Sequence, residues 1–98
     1  MPPIKVRFHP AAAAEVETAR QWYAERSPLA ARAFLAEMDL SVERVRGAPQ
    51  RWPRYVKRTR RYMLPRFPFS VIYRVQGQMI EVVAVAHQRR KPGYWQSR

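Results

Sequence analysis

Two apolar stripes at helical spacing, with Ser27 and Pro28 in the short stretch between them, limit the folds open to the first half of this chain. The first stripe follows Pro10, ends near Arg26 and consists of Ala12, Val16, Ala19 and Tyr23. The second consists of Ala31, Phe34, Leu35, Met38, Val42 and Val45. Ser27 is a typical N-cap, Pro28 suits a first helical turn, and Gly47 ends the second helix. We therefore predict two helices that fold back as an antiparallel hairpin and need an apolar surface to cover.

Strand patterns elsewhere in the chain can supply that surface. Ile4 to Phe8 alternates apolar and basic residues, which is the period of a half-buried strand. Arg61 to Leu64 and Phe69 to Val75 are further candidates, and Met79 to Ala86 is almost continuously apolar. A continuous apolar run predicts a central strand that is buried on both faces. Gln76-Gly77 predicts the hairpin turn between the last two strands.

The order of these elements predicts the fold class. Pro65 and Pro68 indicate a bend between two strands, and residues 51–61 are interpreted as a basic loop. We expect an α+β fold with an N-terminal strand, an antiparallel two-helix hairpin, and a three-strand antiparallel meander that forms one sheet against the helices. Residues 1–98 are expected to form a single domain, because this length suffices for one hydrophobic core.

The composition argues against a disulfide framework, a structural metal and a membrane anchor. The chain has no cysteine, and its two histidines, His9 and His87, lie too far apart in sequence to suggest a zinc site. The N-terminal residues MPPIKVRFHP lack the apolar stretch of a signal peptide, and no run approaches the roughly 18 apolar residues that span a membrane. We expect a cytoplasmic protein that uses no cofactor.

The positive charge is concentrated in the second half of the chain. The net charge is +12, and residues 48–98 contribute +11 of it, with twelve lysines and arginines against the single Glu81. Clustered cations raise the local concentration of an anionic partner, so this asymmetry predicts binding to a polyanion or to an acidic protein segment. A surface that serves only solubility is the alternative, although such surfaces usually mix both signs of charge.

Four segments in a fixed order connect the chain with a known family. They are Ala12-Ala13-Ala14-Glu15 with Trp22-Tyr23, Arg66 to Val75, Val83 to His87, and Arg89-Arg90. Together they resemble toxins of the RelE/ParE superfamily, small basic proteins encoded beside an antitoxin in bacterial type II toxin-antitoxin modules. The resemblance covers nearly the whole chain. It implies two helices packed on an antiparallel sheet, a basic active or binding face, and an antitoxin that wraps this face.

This superfamily has two known kinds of activity. Members similar to RelE cut messenger RNA in the ribosome, where basic side chains stabilise the phosphate that a 2′-hydroxyl attacks. Members similar to ParE poison DNA gyrase and need no catalytic set. The resemblance implies that the phosphate-binding arginine of the ribonucleases falls on Ser70, and that two cations of the preceding strand fall on Arg61 and Met63. Two of these phosphate contacts are therefore missing, which argues against RNA cleavage.

His87 and Tyr94 favour the opposite interpretation. His87 stands where the last strand leaves the core, and imidazole suits acid–base work near neutral pH. Tyr94 matches a C-terminal tyrosine of some ribonuclease members, so the resemblance implies His87, Tyr94 and Arg61 as catalytic residues if the chain is a ribonuclease. The alternative is that His87 caps a strand end and hydrogen-bonds the backbone, while Tyr94 and Trp95 fold back to cover the sheet.

Other residues carry simpler expectations. The candidates for binding a target or a phosphate are Arg89, Arg90, Lys91, Arg58, Arg60 and Arg66. Cations at positions 51–58 flank Trp52 and Tyr55, a mixture that nucleic-acid binders use for stacking and charge, although irregular basic loops without a ligand are also common. We expect Trp22 and Tyr23 in the core and Glu15 on a solvated helix face.

We interpret the chain as the toxin of a type II toxin-antitoxin module, and we prefer a ParE-like, gyrase-directed binder. A RelE-like, metal-independent messenger RNA endoribonuclease that depends on the ribosome is the first alternative. A basic nucleic-acid-binding module without toxicity is the second. The expected partners are a cognate antitoxin from an adjacent gene, and either DNA gyrase or the ribosome with its messenger RNA. Clustered cations should attract an acidic, partly disordered antitoxin segment.

Overall fold

Two helices pack on one face of a five-stranded sheet. The computed structural model describes residues 4–98. Its elements are, in chain order, β1 (Lys5–Phe8), α1 (Pro10–Arg26), α2 (Pro28–Gly47), β2 (Arg54–Tyr55), β3 (Thr59–Met63), β4 (Phe69–Gln76) and β5 (Met79–His87). The strands lie in the order β1-β5-β4-β3-β2 across the sheet. Within residues 4–98 no helix is long and apolar enough to cross a membrane.

One residue, Ser27, makes the sharp junction between the two helices. Its backbone N donates to the carbonyl oxygen of Tyr23 at 2.7 Å, which closes the last turn of α1. Its side-chain Oγ accepts from the backbone N of Ala30 at 3.2 Å, which caps the first turn of α2. Because a single residue ends one helix and begins the next, the helices pack side by side, and the predicted hairpin is confirmed.

The sheet differs from the predicted one because it is mixed. β1 runs parallel to β5, with Lys5 opposite Met79 and Phe8 opposite Val82, whereas the predicted strand pairing was antiparallel only. A parallel pair requires a long crossover connection, and the helix hairpin together with β2 to β4 supplies one. Periodicity within each strand carries no information on the direction of its neighbour, so this pairing was not visible in the sequence.

The predicted basic loop at residues 51–61 contains two strand segments joined by a turn. Arg54 and Tyr55 form β2 and pair with Arg60 and Thr59. The third strand therefore begins at Thr59, two residues before its predicted start. A two-residue strand has no period to detect, and the many cations around it disfavoured a strand assignment.

β5 is an interior strand, as its apolar run predicted. It lies between β1 and β4, and Ile80 to Ala86 are all buried. The register with β4 shifts between Ile72 and Tyr73, where Val83 has no partner of its own. β5 is also much longer than β1, so beyond Val82 no strand of the described residues lies beside its outer edge.

Each face of the sheet has its own core. On the helix side, Phe34 and Met38 of α2 and Ala12 and Ala19 of α1 pack against residues of the strands such as Val71. The opposite face is covered by the C-terminal segment, residues 88–98, and its core consists of Ile72, Val83, Ala84, Ala86 and Trp95 with partly buried Tyr55 and Tyr94. The alternative in which Tyr94 and Trp95 fold back over the sheet therefore describes the observed structure.

Two residues assigned to the apolar helical surface lie at the protein surface. Trp22 is 52% exposed, although it was expected in the core, and Leu35 is 36% exposed. Trp22 precedes Tyr23, which does pack against the core, and neighbouring helical residues point about 100° apart. Two adjacent aromatic residues of a helix therefore cannot both face the same core, and here only the Tyr23 ring does.

Candidate functional site

The C-terminal segment is the central feature of the candidate site. Trp95 is only 2% exposed and packs against Ile72, Ala84 and Ala86 on the sheet. Its ring stacks on Tyr55 of β2, with 5.8 Å between the ring centroids. An indole buried in this way contributes a large apolar area, so the segment is bound firmly to the sheet face that faces away from the helices.

Glu15 of α1 holds this segment in place. Its Oε2 accepts from the Tyr94 hydroxyl at 2.7 Å, and its Oε1 accepts from Nη1 of Arg98 at 2.9 Å and from the backbone N of Val85 at 3.0 Å. Val85 N is available because β1 ends at Phe8 and leaves this edge of β5 without a strand. Only 16% of the Glu15 side chain is exposed, so the expected solvated position was wrong.

Arg98 also attaches the C-terminal segment to β5 and β4. Its Nη1 also donates to the carbonyl oxygen of Val83 at 3.0 Å, and its own carbonyl oxygen accepts from Nη2 of Arg74 at 3.1 Å. Arg74 is itself paired with Glu81 at 2.6 Å. We call Glu15, Tyr94 and Arg98 the C-terminal clasp, because together they join α1, the free edge of β5 and the end of the chain.

The clasp commits the hydroxyl of Tyr94 to a structural hydrogen bond. Burial raises the pKa of Tyr94 well above its ordinary value, and the hydrogen bond to the Glu15 carboxylate raises it further. The hydroxyl is therefore protonated at neutral pH and donates to Glu15. Tyr94 therefore has a structural role in this arrangement. A catalytic tyrosine would need its hydroxyl at the reacting group.

His87 is exposed at the end of β5. Its Nδ1 accepts from the backbone N of Arg89 at 3.1 Å, and its ring lies edge-on to Phe69 with 5.3 Å between centroids. The hydrogen bond to backbone is the contact that a strand-end cap requires, which was the structural alternative for this residue. His87 also borders a small cavity together with Arg61, whereas Tyr94 does not line it.

The three positions that the resemblance to ribonucleases assigned to phosphate-binding cations, Arg61, Met63 and Ser70, lie together on the sheet face that the C-terminal segment covers. Met63 and Ser70 are direct partners in β3 and β4. Ser70 is 2% exposed, and its Oγ has no hydrogen-bond partner within residues 4–98. Arg61 lies on the same face, where its Cζ is 4.3 Å from the centroid of the Tyr55 ring.

The space around Ser70 is very small. The cavity that Ser70 shares with Arg61, His87 and Trp95 has a volume of about 10 Å³. Such a volume holds about one water molecule. In this arrangement the cavity has no room for a nucleotide phosphate beside Ser70.

The six predicted binding cations divide into held and free side chains. Arg66 binds Glu37 through its Nε at 2.9 Å, and Arg60 donates to the carbonyl oxygen of Trp52 at 2.7 Å. Arg90 lies over the Tyr94 ring, with its Cζ 3.5 Å from the centroid. The other three are exposed and have no side-chain hydrogen bond or ion pair within residues 4–98, namely Arg58, Arg89 and Lys91.

An apolar groove of about 530 Å³ lies between α1 and the free edge of β5. Trp22, Tyr23 and Phe69 form much of its wall, and His87 and Arg90 lie at its rim. The Cζ of Arg26 lies 3.6 Å from the centroid of a Trp22 ring, so a cation covers part of the exposed indole. We call this surface the α1–β5 groove.

Comparison with known proteins assigns the chain to a family. A family model described as the ParE toxin of the type II toxin-antitoxin system parDE matches residues 6–92. The chain belongs to the ParE toxin family. A solved structure described as the chromosomal ParDE TA system from P. aeruginosa is similar in fold, with a TM-score of 0.77 and 23% sequence identity, over 86% of this chain and 95% of that chain. No curated protein matches the sequence significantly.

The predicted superfamily is thereby confirmed, and so is the preference for a ParE-like toxin. The chain is the toxin of a type II toxin-antitoxin system. The C-terminal clasp of this ParE-family toxin was not visible in the sequence, because Glu15 resembles any charged residue of an amphipathic helix. Arg98, which binds Glu15 from the end of the chain, carried no pattern at all.

Proposed function

We propose that this toxin acts by binding DNA gyrase in the cytoplasm and does not cleave messenger RNA. The observation that carries the proposal is that Ser70 and Trp95 are both buried and share a cavity of only about 10 Å³. The face that would hold the phosphate in a ribonuclease is filled by an indole, and Ser70 and Met63 supply no charge there. A hydroxyl and a thioether carry no positive charge, so they stabilise the extra negative charge of a phosphorane far less than two basic side chains would.

The ribonuclease remains the second candidate because His87 and Arg61 border one cavity. Movement of Trp95 would open that cavity and leave an imidazole and a guanidinium beside it. Tyr94 would join them only after its hydroxyl leaves Glu15. The ribonuclease mechanism therefore requires release of the C-terminal clasp, whereas a binder can act with the clasp closed.

We also propose that a cognate antitoxin, encoded by an adjacent gene, binds this toxin. The α1–β5 groove offers an apolar surface, and Arg26 and Arg90 at its sides favour an acidic segment. The solved ParDE structure with the similar fold is described as a toxin-antitoxin system. An antitoxin segment that folds on binding would cover the exposed indole of Trp22.

Induced expression in bacteria tests the proposal. The toxin alone should arrest growth, and co-expression of the neighbouring gene should restore it. His87→Ala should leave most of the arrest intact, because no proton transfer is needed for binding. In a ribonuclease the same change should lower the rate by about 10²–10⁴.

Messenger RNA from the same cultures gives the second measurement. We expect no new cleavage at codons for either the parent or His87→Ala. A thermal melt of the purified variant serves as the folding control. A folded but harmless His87→Ala, together with a parent that cuts messenger RNA, would overturn the proposal.

A further inference from the structure

The segment from Arg51 to Arg61, which contains β2 and the β2–β3 turn, is the most basic part of the fold. It carries six cations and no carboxylate, namely Arg51, Arg54, Lys57, Arg58, Arg60 and Arg61. The only acidic residue of the second half, Glu81, is already bound to Arg7 and Arg74. The carboxylates of the first half do not reach it either, so within residues 4–98 no carboxylate forms an ion pair with a cation of this segment.

The tip of this hairpin has an unusual backbone. Lys57 and Arg58 both have φ near +60°, a conformation that side chains with a Cβ adopt only at a cost. Asn and Gly are the residues that favour such a turn. The chain instead places two cations at adjacent strained positions, and strain of this kind is common where a side chain must be presented to a ligand.

A cavity of about 330 Å³ lies between this hairpin and the end of β4, and four arginines line it. Two of them are held in fixed orientations: Arg60 by the carbonyl oxygen of Trp52 and the side chain of Gln50, and Arg74 by Glu81. The other two, Arg54 and Arg58, are exposed and have no side-chain partner within residues 4–98. Among the described residues, no carboxylate lines the cavity.

We propose that this surface binds the phosphate backbone of duplex DNA. Guanidinium groups match phosphate oxygens in shape and charge, and arginine supplies all the cations of the cavity. Nucleotide phosphates also suit a site without large apolar anchors, whereas an acidic protein segment gains most of its binding energy from such anchors.

The aromatic rings of the hairpin indicate that the bases themselves are not bound. Trp52 packs edge-on against Tyr62, with 4.6 Å between centroids, and Tyr55 is covered by Trp95. Neither ring is free to stack on an unpaired base, which single-strand binders require. Contact with the backbone of a duplex uses charge alone and is independent of sequence. This activity goes beyond gyrase binding, which concerns a protein target.

Fluorescence anisotropy with a labelled duplex of about 30 base pairs tests the proposal over a series of salt concentrations. The toxin is made by cell-free synthesis to avoid growth arrest. The double variant Arg54→Gln/Arg58→Gln should bind the duplex at least about 10-fold more weakly at low salt. The negative slope of log K against log salt should become shallower by about 2, because two phosphate contacts are lost. The matched control, Arg20→Gln/Arg32→Gln on the helices, removes the same net charge and should change affinity less than about 3-fold.

A second variant separates binding from folding. Lys57→Asn/Arg58→Gly places residues that favour positive φ in the turn, so it should raise the melting temperature while it weakens DNA binding. A stabilised variant with unchanged DNA affinity would overturn the proposal. The proposal would also be overturned if Arg20→Gln/Arg32→Gln lost as much DNA affinity as Arg54→Gln/Arg58→Gln, because binding would then reflect net charge only.

Two competitors identify the ligand class. Single-stranded DNA of equal length should bind no more tightly than the duplex, and polyglutamate should compete poorly. Tighter binding of the single strand would contradict backbone recognition, and strong binding of polyglutamate without duplex binding would assign the surface to an acidic protein. None of these assays contains gyrase, so their failure would leave the proposed gyrase target untouched.

Discussion

Glu15 forms hydrogen bonds with residues that lie 70 or more positions away in the sequence, namely Val85, Tyr94 and Arg98. Its position off the apolar stripe of α1 was visible in the sequence, and this alone predicts a solvated carboxylate. The structure places it against the edge of β5 because β1 is too short to cover that edge. Strand length sets this contact, and the length of β1 depends on where Pro10 starts the helix. The candidate residues His87, Arg61 and Arg90 were found from the sequence, whereas the carboxylate that organises this end of the site was not.

Glu15→Gln should lower the free energy of unfolding by about 1–3 kcal/mol, because Val85, Tyr94 and Arg98 lose a charged acceptor. Urea unfolding of the purified variant measures this change. Glu17→Gln is the matched control, since Glu17 is exposed and pairs only with side chains of its own helix, and it should change stability by less than about 1 kcal/mol. Equal losses in the two variants would mean that Glu15 does not hold the C-terminal segment.

Ser70→Ala tests whether position 70 has a chemical role. The Ser70 hydroxyl is buried without a partner, so its removal should leave stability unchanged or raise it by up to about 1 kcal/mol. Growth arrest should persist at the level of the parent. Loss of toxicity in a variant with an unchanged melting curve would assign an active role to this hydroxyl and weaken the account.

Among the elements, the helices and the two long strands were predictable, and the strand pairing at both edges of the sheet was not. Helix ends follow from local signals such as Ser27, Pro28 and Gly47, which act through the backbone within one turn. β5 follows from its continuous apolar run. β1 pairs in parallel through a crossover, and β2 has only two residues, so neither pairing leaves a periodic signal in the sequence.

Ser27→Ala should destabilise the helix hairpin. The variant loses the Oγ acceptor for Ala30 N, and removal of an N-cap costs about 0.5–2 kcal/mol. Urea denaturation followed by circular dichroism gives the change in unfolding free energy. Ser27→Asp, which retains a capping oxygen, should recover most of the loss. No recovery would show that the hydroxyl serves another purpose than capping.

At the scale of the whole molecule, the charge asymmetry was visible in composition, but its distribution in space was not. Some cations of the second half form ion pairs within the protein, such as Arg74 with Glu81 and Arg66 with Glu37. Others remain free at the β2–β3 hairpin and in the C-terminal segment. The protein therefore presents two separate basic surfaces, one on the β2–β3 hairpin at the far edge of the sheet and one in the C-terminal segment beside the α1–β5 groove, and each suits a different class of partner.

The toxin should be less stable to urea at alkaline pH than at neutral pH. Burial raises the pKa of Tyr73 to about 12, and burial with the Glu15 hydrogen bond raises that of Tyr94, while an unfolded tyrosine titrates near 10. Their stabilising contribution is complete below about pH 10 and is lost as the pH rises towards the folded values. Urea midpoints between about pH 8 and 12 should therefore fall above pH 10, and Tyr94→Phe should reduce the fall. A flat profile would contradict the buried positions of these hydroxyls.

Antitoxin binding should also depend on the whole charge distribution. If an acidic segment docks beside the basic surfaces, its association rate should fall steeply between low and high salt. Stopped-flow mixing of the toxin with the product of the neighbouring gene measures this rate. A rate that does not change with salt would point to a mainly apolar interface at the α1–β5 groove.

Inhibition of purified DNA gyrase is the most direct test of the proposed mode of action. Relaxed plasmid, gyrase and ATP are incubated with increasing toxin, and the supercoiled product is measured beside a cell-free translation reaction with the same toxin preparation. The account predicts that supercoiling is inhibited by the parent and by His87→Ala alike, while translation continues and its messenger RNA stays intact. Unimpaired supercoiling together with cleaved messenger RNA would contradict it.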